Sequence, residues 1–208
     1  MSVYMTEEEQ IENIKALWAR HQKWISWVLS IALIVFAGYR FVTWRSDKVT
    51  RQASLSYEAL MRATAEDDAK QMEAYAQHII TTYPKTVYRD AALLSEAKYW
   101  VKSGELAKAK EALQSVVTRA KMPALQQVAK LRLARIWIAE GAYSEALTAL
   151  KSLENTPYKP SALELMGDVY MKQGDIDQAE KAYAEAHNWA ELHGLRSAFL
   201  DLKLSQAQ

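Results

Sequence analysis

The sequence contains no cysteine, which excludes disulfide staples, thiolate catalysis and cysteine-ligated zinc. A chain without thiols suits a reducing cytosol and an oxidising envelope equally, so the compartment stays open. Glycine and proline are scarce, at 6 and 4 among 208 residues, while Ala, Leu, Glu, Lys and Gln recur; this is the composition of a helical protein with few breaks. No single sign of charge dominates either. The 26 Lys and Arg face 25 Asp and Glu for a net +1, and residues 52–208 hold 19 basic and 20 acidic side chains. Nucleic acid, whose phosphates need clustered cations, is therefore not an expected partner. Phosphate-cradling glycine loops, GxSxG, HExxH and the calcium-loop pattern are all missing. His21, His78, His187 and His193 lack metal-ligand spacing; His187 and His193 are near enough to approach one another, but solvent-facing structural roles fit them better. Glu66-Asp67-Asp68 reads as a helix-capping turn rather than a cation site. Nothing calls for an enzyme, a cofactor, a metal or a small-molecule substrate.

Charge is absent from one long stretch. Trp24 to Tyr39 has no charged side chain, and with Arg40 snorkelling to the interface the apolar run continues to Trp44. Those 21 residues make roughly 31 Å of helix at 1.5 Å each, about one hydrocarbon thickness. Trp24 and Trp27 at one end, and Tyr39, Phe41 and Trp44 at the other, set amphipathic rings at headgroup depth. A secretory signal is an alternative, with Val35-Phe36-Ala37 as a cleavage site, and a soluble core helix is another. The leader argues against a signal, because Glu7, Glu8, Glu9 and Glu12 stand where a short basic region is usual. An uncleaved anchor is the expectation. Lys15, Arg20 and Lys23 precede it and Arg40, Arg45, Lys48 and Arg51 follow, so flanking charge leans slightly toward a cytoplasmic C-terminal side. Ahead of the span, Ile11, Ile14, Leu17 and Trp18 share one helical face, as in an amphipathic helix lying on a membrane surface.

Repeats follow the anchor. Gly104, Gly141 and Gly174 recur at intervals of 37 and 33 residues, each within the same frame. Seven residues earlier comes a small residue (Ala97, Ala134, Gly167), and four earlier an aromatic one (Trp100, Trp137, Tyr170). Five residues later comes Ala109, Ala146 or Ala179, and nine later a larger one, Leu113, Leu150 or Tyr183. Small residues let two helices approach, and at the third turn Gly174 can take the left-handed conformation that ends one helix while an Asp175–Gln178 capping box opens the next. This period resembles the tetratricopeptide repeat, and Glu96 is a departure where that pattern is apolar. Upstream, a degenerate pair turns at Glu66-Asp67-Asp68 and ends at Pro84; downstream, Leu195, Ala198, Phe199 and Leu202 describe an amphipathic cap. The fold class expected is all-α: one transmembrane helix, then a tetratricopeptide-repeat-like α-solenoid of helical hairpins with a C-terminal capping helix. By repeat phase the concave groove displays Lys98, Lys102, Arg135, Ile138, Asp168, Met171 and Lys172, a mixed surface suited to docking protein or peptide.

The acidic leader "EEEQIENIK", the span ending Gly38-Tyr39-Arg40, the "RQASLSYEAL" after it and "LRLARI" at Leu131 to Ile136 together resemble the YfgM family, the ancillary subunits of the bacterial Sec translocon. The resemblance covers nearly the whole chain. It implies residues 1–23 as a cytoplasmic amphipathic segment, 24–44 as an inner-membrane span and 45–208 as a periplasmic repeat domain. It also implies partners: Sec translocon subunits and a membrane-anchored periplasmic chaperone of the prolyl-isomerase type. The function expected is a non-enzymatic, membrane-tethered adaptor assisting exported proteins. A scaffold for another envelope assembly, such as cell-division or outer-membrane machinery, is the alternative.

Overall fold

The computed structural model describes residues 7–195 and 197–207, excluding the side chains of residues 7–10, 13, 14, 16, 17 and 20–22. Among the described residues the ordered elements are all helices. The chain divides into two units, Met1–Arg51 and Gln52–Gln208. Helix α1 (Glu7–Ala65) begins in the first and contributes its last turns to the second.

In the first unit, the helix from Lys23 onward carries a window of mean hydropathy 1.9, none of it buried. A core helix would be covered, so that alternative fails: Trp24, Trp27, Ile34, Tyr39 and Trp44 all face outward. A continuous apolar surface of this extent needs a cover other than water. A helix also meets the demand of lipid that backbone polar groups be bonded within the segment. The hydroxyls comply, with Ser30 Oγ donating to the Ser26 carbonyl at 2.8 Å and Thr43 Oγ1 to the Arg40 carbonyl at 3.0 Å. One helix thus fits one span. Of the expected leader face, Ile11 and Trp18 are exposed, while the side chains of Ile14 and Leu17 lie outside the described residues.

The second unit is a series of helical hairpins. The end of α1 pairs with α2 (Ala69–Thr82), α3 (Val87–Lys102) with α4 (Leu106–Arg119), α5 (Pro123–Glu140) with α6 (Tyr143–Lys151), and α7 (Lys159–Gln173) with α8 (Ile176–Leu192); α9 (Ala198–Gln206) follows. The three repeat turns share one geometry. Gly104, Gly141 and Gly174 have φ of 78°, 76° and 78°. The next N–H reaches back to the aromatic carbonyl, Glu105 to Trp100 at 2.8 Å, Ala142 to Trp137 at 2.8 Å and Asp175 to Tyr170 at 3.0 Å, the bond that defines a Schellman ending. The degenerate hairpin makes the same turn with Asp67 in the glycine's place, at φ 56°, and Asp68 N–H on the Ala63 carbonyl at 3.0 Å. Asp68 then caps α2 through the Gln71 N–H at 3.0 Å. Asp175 caps α8 likewise, accepting from the Gln178 N–H at 3.1 Å; only this half of the expected capping box is present among the described residues.

Each hairpin fills its interior by complementary volume. Seven before and nine after the turn residue stand Ala97 and Leu113, Ala134 and Leu150, Gly167 and Tyr183, all in the core. Around Asp67 the same two positions are Leu60 and Ala76, both fully buried, so the large and small partners have exchanged helices. Close packing asks for a constant sum, not for a particular residue on a particular helix. Glu96, only 4% exposed, is tolerated in the first repeat because Gln77 Nε2 of α2 donates to it at 2.8 Å. Burial, with Glu73 adding repulsion, still raises its carboxyl above the ordinary range.

The cap differs from the expected one. Leu200, Lys203, Leu204 and Ala207 turn inward onto α7 and α8, whereas Leu195, Ala198, Phe199 and Leu202 face solvent, Phe199 at 62% and Leu202 at 51% exposure. The reason is electrostatic. Lys203 Nζ lies 2.7 Å from Glu164 Oε1 and 2.7 Å from Asp168 Oδ1, so a lysine sits on the packing face and fixes the helix's rotation.

Candidate functional site

Helix-A residues six before each turn glycine are among those the repeat phase assigns to the expected groove: Lys98, Arg135 and Asp168. Their fates diverge. Lys98 and Arg135 come together on the rim of a cavity of about 350 Å³ between α3, α4 and α5. Its walls are Ala97, Val101, Leu106, Leu113, Ile136 and Ala139, and Arg132 joins the two rim cations. Arg132 reaches across from α5 to α3, where Nη1 donates to the Leu94 carbonyl at 2.8 Å. Burial, with Arg135 nearby adding repulsion, lowers its pKa from the ordinary guanidinium value. Sequence phase alone missed Arg132; an arginine inside the apolar run "LRLARI" was its only signal.

Asp168 is placed under the cap instead. Tyr183 OH donates to Asp168 Oδ1 at 2.8 Å, and Lys203 Nζ donates to Oδ2 at 2.8 Å. Burial and this carboxylate together push the Tyr183 phenol upward in pKa. Ile138 and Met171 are half-buried against the core shared by α5 to α9. Lys102 pairs with Asp67 at 2.6 Å on the exposed turn side, and Lys172 is exposed. Of the seven expected groove residues, the structure gathers Lys98 and Arg135 at one cavity, brings Lys98 and Lys102 together at a second pocket beside Asp67 and Asp68, and distributes the rest.

The two C-terminal histidines do not meet. His187 Nε2 lies 3.1 Å from Asp201 Oδ1 and is half-buried, while His193 stacks on Trp189 at 3.8 Å. Among the described residues no group of three or more His, Asp or Glu side chains is arranged to hold a metal ion.

The family model of the tetratricopeptide repeat-like domain matches residues 15–208. An ancillary SecYEG translocon subunit of Aggregatibacter actinomycetemcomitans is 30% identical over 188 residues, 89% of this chain and 91% of the relative. A protein of the same description from Haemophilus influenzae is 24% identical over 186 residues, with 89% and 91% covered. Two crystal structures of a kinesin light chain from Podosopora anserina with nearly identical TPR-like repeats superpose with TM-scores of 0.58 and 0.56, at 19% and 18% identity. They cover 76% of this chain and 85% and 86% of their own, and they support the fold alone. With the recurrent Schellman turns, the complementary hairpin cores and a relative alike over nine-tenths of its length, the chain belongs to the tetratricopeptide-repeat-like family of ancillary SecYEG translocon subunits, the YfgM family.

Proposed function

We propose that this protein is a non-enzymatic adaptor of the Sec translocon. In this reading residues 1–23 are cytoplasmic, 24–44 span the inner membrane, and 45–208 form a periplasmic repeat domain that docks translocon subunits and a membrane-anchored chaperone of the prolyl-isomerase type. The observation that carries it is the similarity to proteins described as ancillary SecYEG translocon subunits, which extends over 89% of the chain and includes the apolar helix. The docking face is the helix-A surface centred on Lys98 and Arg135, extended by Lys102, Ile138, Met171 and Lys172, with Asp168 holding the capped end in shape.

Affinity capture of the full chain from detergent-solubilised membranes is expected to bring translocon subunits and the periplasmic chaperone with it. Recovery of neither above background overturns the adaptor reading. Protease added to intact cells should spare the repeat domain and should digest it once the outer membrane is permeabilised. Protection that persists until the inner membrane is opened would place the domain in the cytoplasm.

A further inference from the structure

The cavity between α3, α4 and α5 is apolar inside and cationic at its edge. Its volume, about 350 Å³, lies within the range of pockets that take ligands, roughly 300 to 1,000 Å³. Lys98, Arg132 and Arg135 surround it, and no carboxylate lines it. Some lysines of this unit have acid partners, Lys102 with Asp67, Lys110 with Glu140 and Lys203 with Glu164 and Asp168, while others, such as Lys70, Lys121, Lys151 and Lys181, make no such pair among the described residues. What sets Lys98 apart is its place beside two arginines at an apolar hollow. Among the described residues, Lys98 and Arg135 meet none. Three like charges around an apolar hollow give its mouth a positive potential, which an anionic group from outside complements.

The hollow itself has a cause in the repeat. Val101 and Leu106 stand where the second repeat has the larger Ile138 and Tyr143, which pack against the core. Leu106 still packs on its core, but Val101 is 46% exposed where Ile138 packs inward, so the first repeat leaves room on that side.

We infer that this cavity seats an acidic, apolar segment of a partner protein, one apolar side chain entering between Val101, Leu106, Leu113 and Ile136 while flanking carboxylates meet Lys98 and Arg135. The inference rests on the adaptor reading and gives its ligand a chemistry. A protein segment fits better than a single small acid, because the cations come from two successive repeats and suit carboxylates spaced along a chain. Arg132, fixed on the Leu94 carbonyl, holds positive charge beside the hollow without needing to move.

The test uses the full chain in nanodiscs of zwitterionic lipid and fluorescent hexapeptides read by anisotropy: Asp-Glu-Leu-Phe-Asp-Glu, its Lys-for-acid reversal, and an acidic version with Ser replacing Leu and Phe. The first should bind best, and each of the others about tenfold more weakly or worse. Lys98→Glu with Arg135→Glu should cost the first peptide about tenfold or more with no change in melting midpoint, since both side chains are exposed. Val101→Trp should remove a similar share by filling the hollow with every charge retained. Equal binding of the acidic and reversed peptides overturns the inference, as does parent-like affinity in both variants. Saturable binding of octanoate without the acidic peptide would reassign the cavity to a small amphipathic acid and also overturn it. If the peptide results fail while capture still recovers translocon subunits, the adaptor reading stands and this assignment of the cavity falls.

Discussion

The two ends of the repeat array treat one position in opposite ways. In the last repeat the residue six before the turn glycine is Asp168, and it is covered: Tyr183 binds it from within the hairpin and Lys203 from the cap. In the first two repeats that residue is Lys98 or Arg135, and both stand at the mouth of an open, apolar hollow. The backbone frame is the same, with matching turn φ and matching turn bonds. What differs is the neighbour. Where the chain supplies a complementary charge in cis the surface closes and becomes structure, and where it supplies none the surface stays available to something else. Repeat phase assigns a residue its place, and the next element decides what that place does.

The comparison is broken most severely by disturbing the filled end. A Cβ added at Gly167 would stand 2.6 Å from Tyr183 Cδ1 and 2.8 Å from Cζ, with Cε1 nearer still. The ring is buried and hydrogen-bonded to Asp168, so withdrawing it would disturb that bond and the core around it. Gly167→Ala is therefore expected to destabilise the repeat domain by up to about 3 kcal/mol, read from urea unfolding. Adding Tyr183→Leu rebuilds the Ala–Leu pair of the first two repeats and should restore most of the loss. A double variant no more stable than the single one would show that volume complementarity is not what couples these positions.

Lys203→Met tests the cap more gently. It leaves Glu164 and Asp168 without their shared ammonium while keeping the stem that packs beside Phe199 and Tyr183. A loss of about 1–2 kcal/mol is expected, less than for a fully buried pair because both carboxylates are partly solvated. Loss of protection confined to α9 in hydrogen exchange would identify the cap as the part released. An unchanged midpoint would mean that Leu200, Leu204 and Ala207 hold the cap unaided.

These same residues explain what the sequence made legible. The hairpins were readable because glycine, aromatic and small residues recur in a fixed frame, and the backbone obeys that frame even where Asp67 replaces glycine. The groove's occupants were readable only as positions. Asp168 carries no local sign that Lys203, far along the chain, will cover it. The cap face was misread for a related reason: hydrophobic periodicity scores Lys203 as solvent-facing and so selects Phe199 and Leu202, whereas the acids on α7 draw the lysine inward. Arg132 escaped because its contact is to a backbone carbonyl, which has no signature in sequence.

The smallest expected effect sharpens the comparison from the other end. Eight residues before the turn, the later repeats bury Leu133 and Met166, and the first buries Glu96. Its carboxyl is raised in pKa by burial, against the Gln77 bond that favours the charge. A carboxyl with a higher pKa folded than unfolded binds its proton more tightly in the native state. The associated stability is fully present below the unfolded pKa and is lost as pH rises through the folded one. At neutral pH the ionised Glu96 therefore weakens the fold, and Glu96→Gln, which keeps an oxygen to accept from Gln77, should raise the melting midpoint slightly. The gain should shrink toward zero as pH falls below the ordinary carboxylate range, where the parent is protonated as well. A gain that persists unchanged in acid would trace the effect to packing rather than charge, and a loss at neutral pH would mean that the Gln77 bond to the carboxylate outweighs its desolvation.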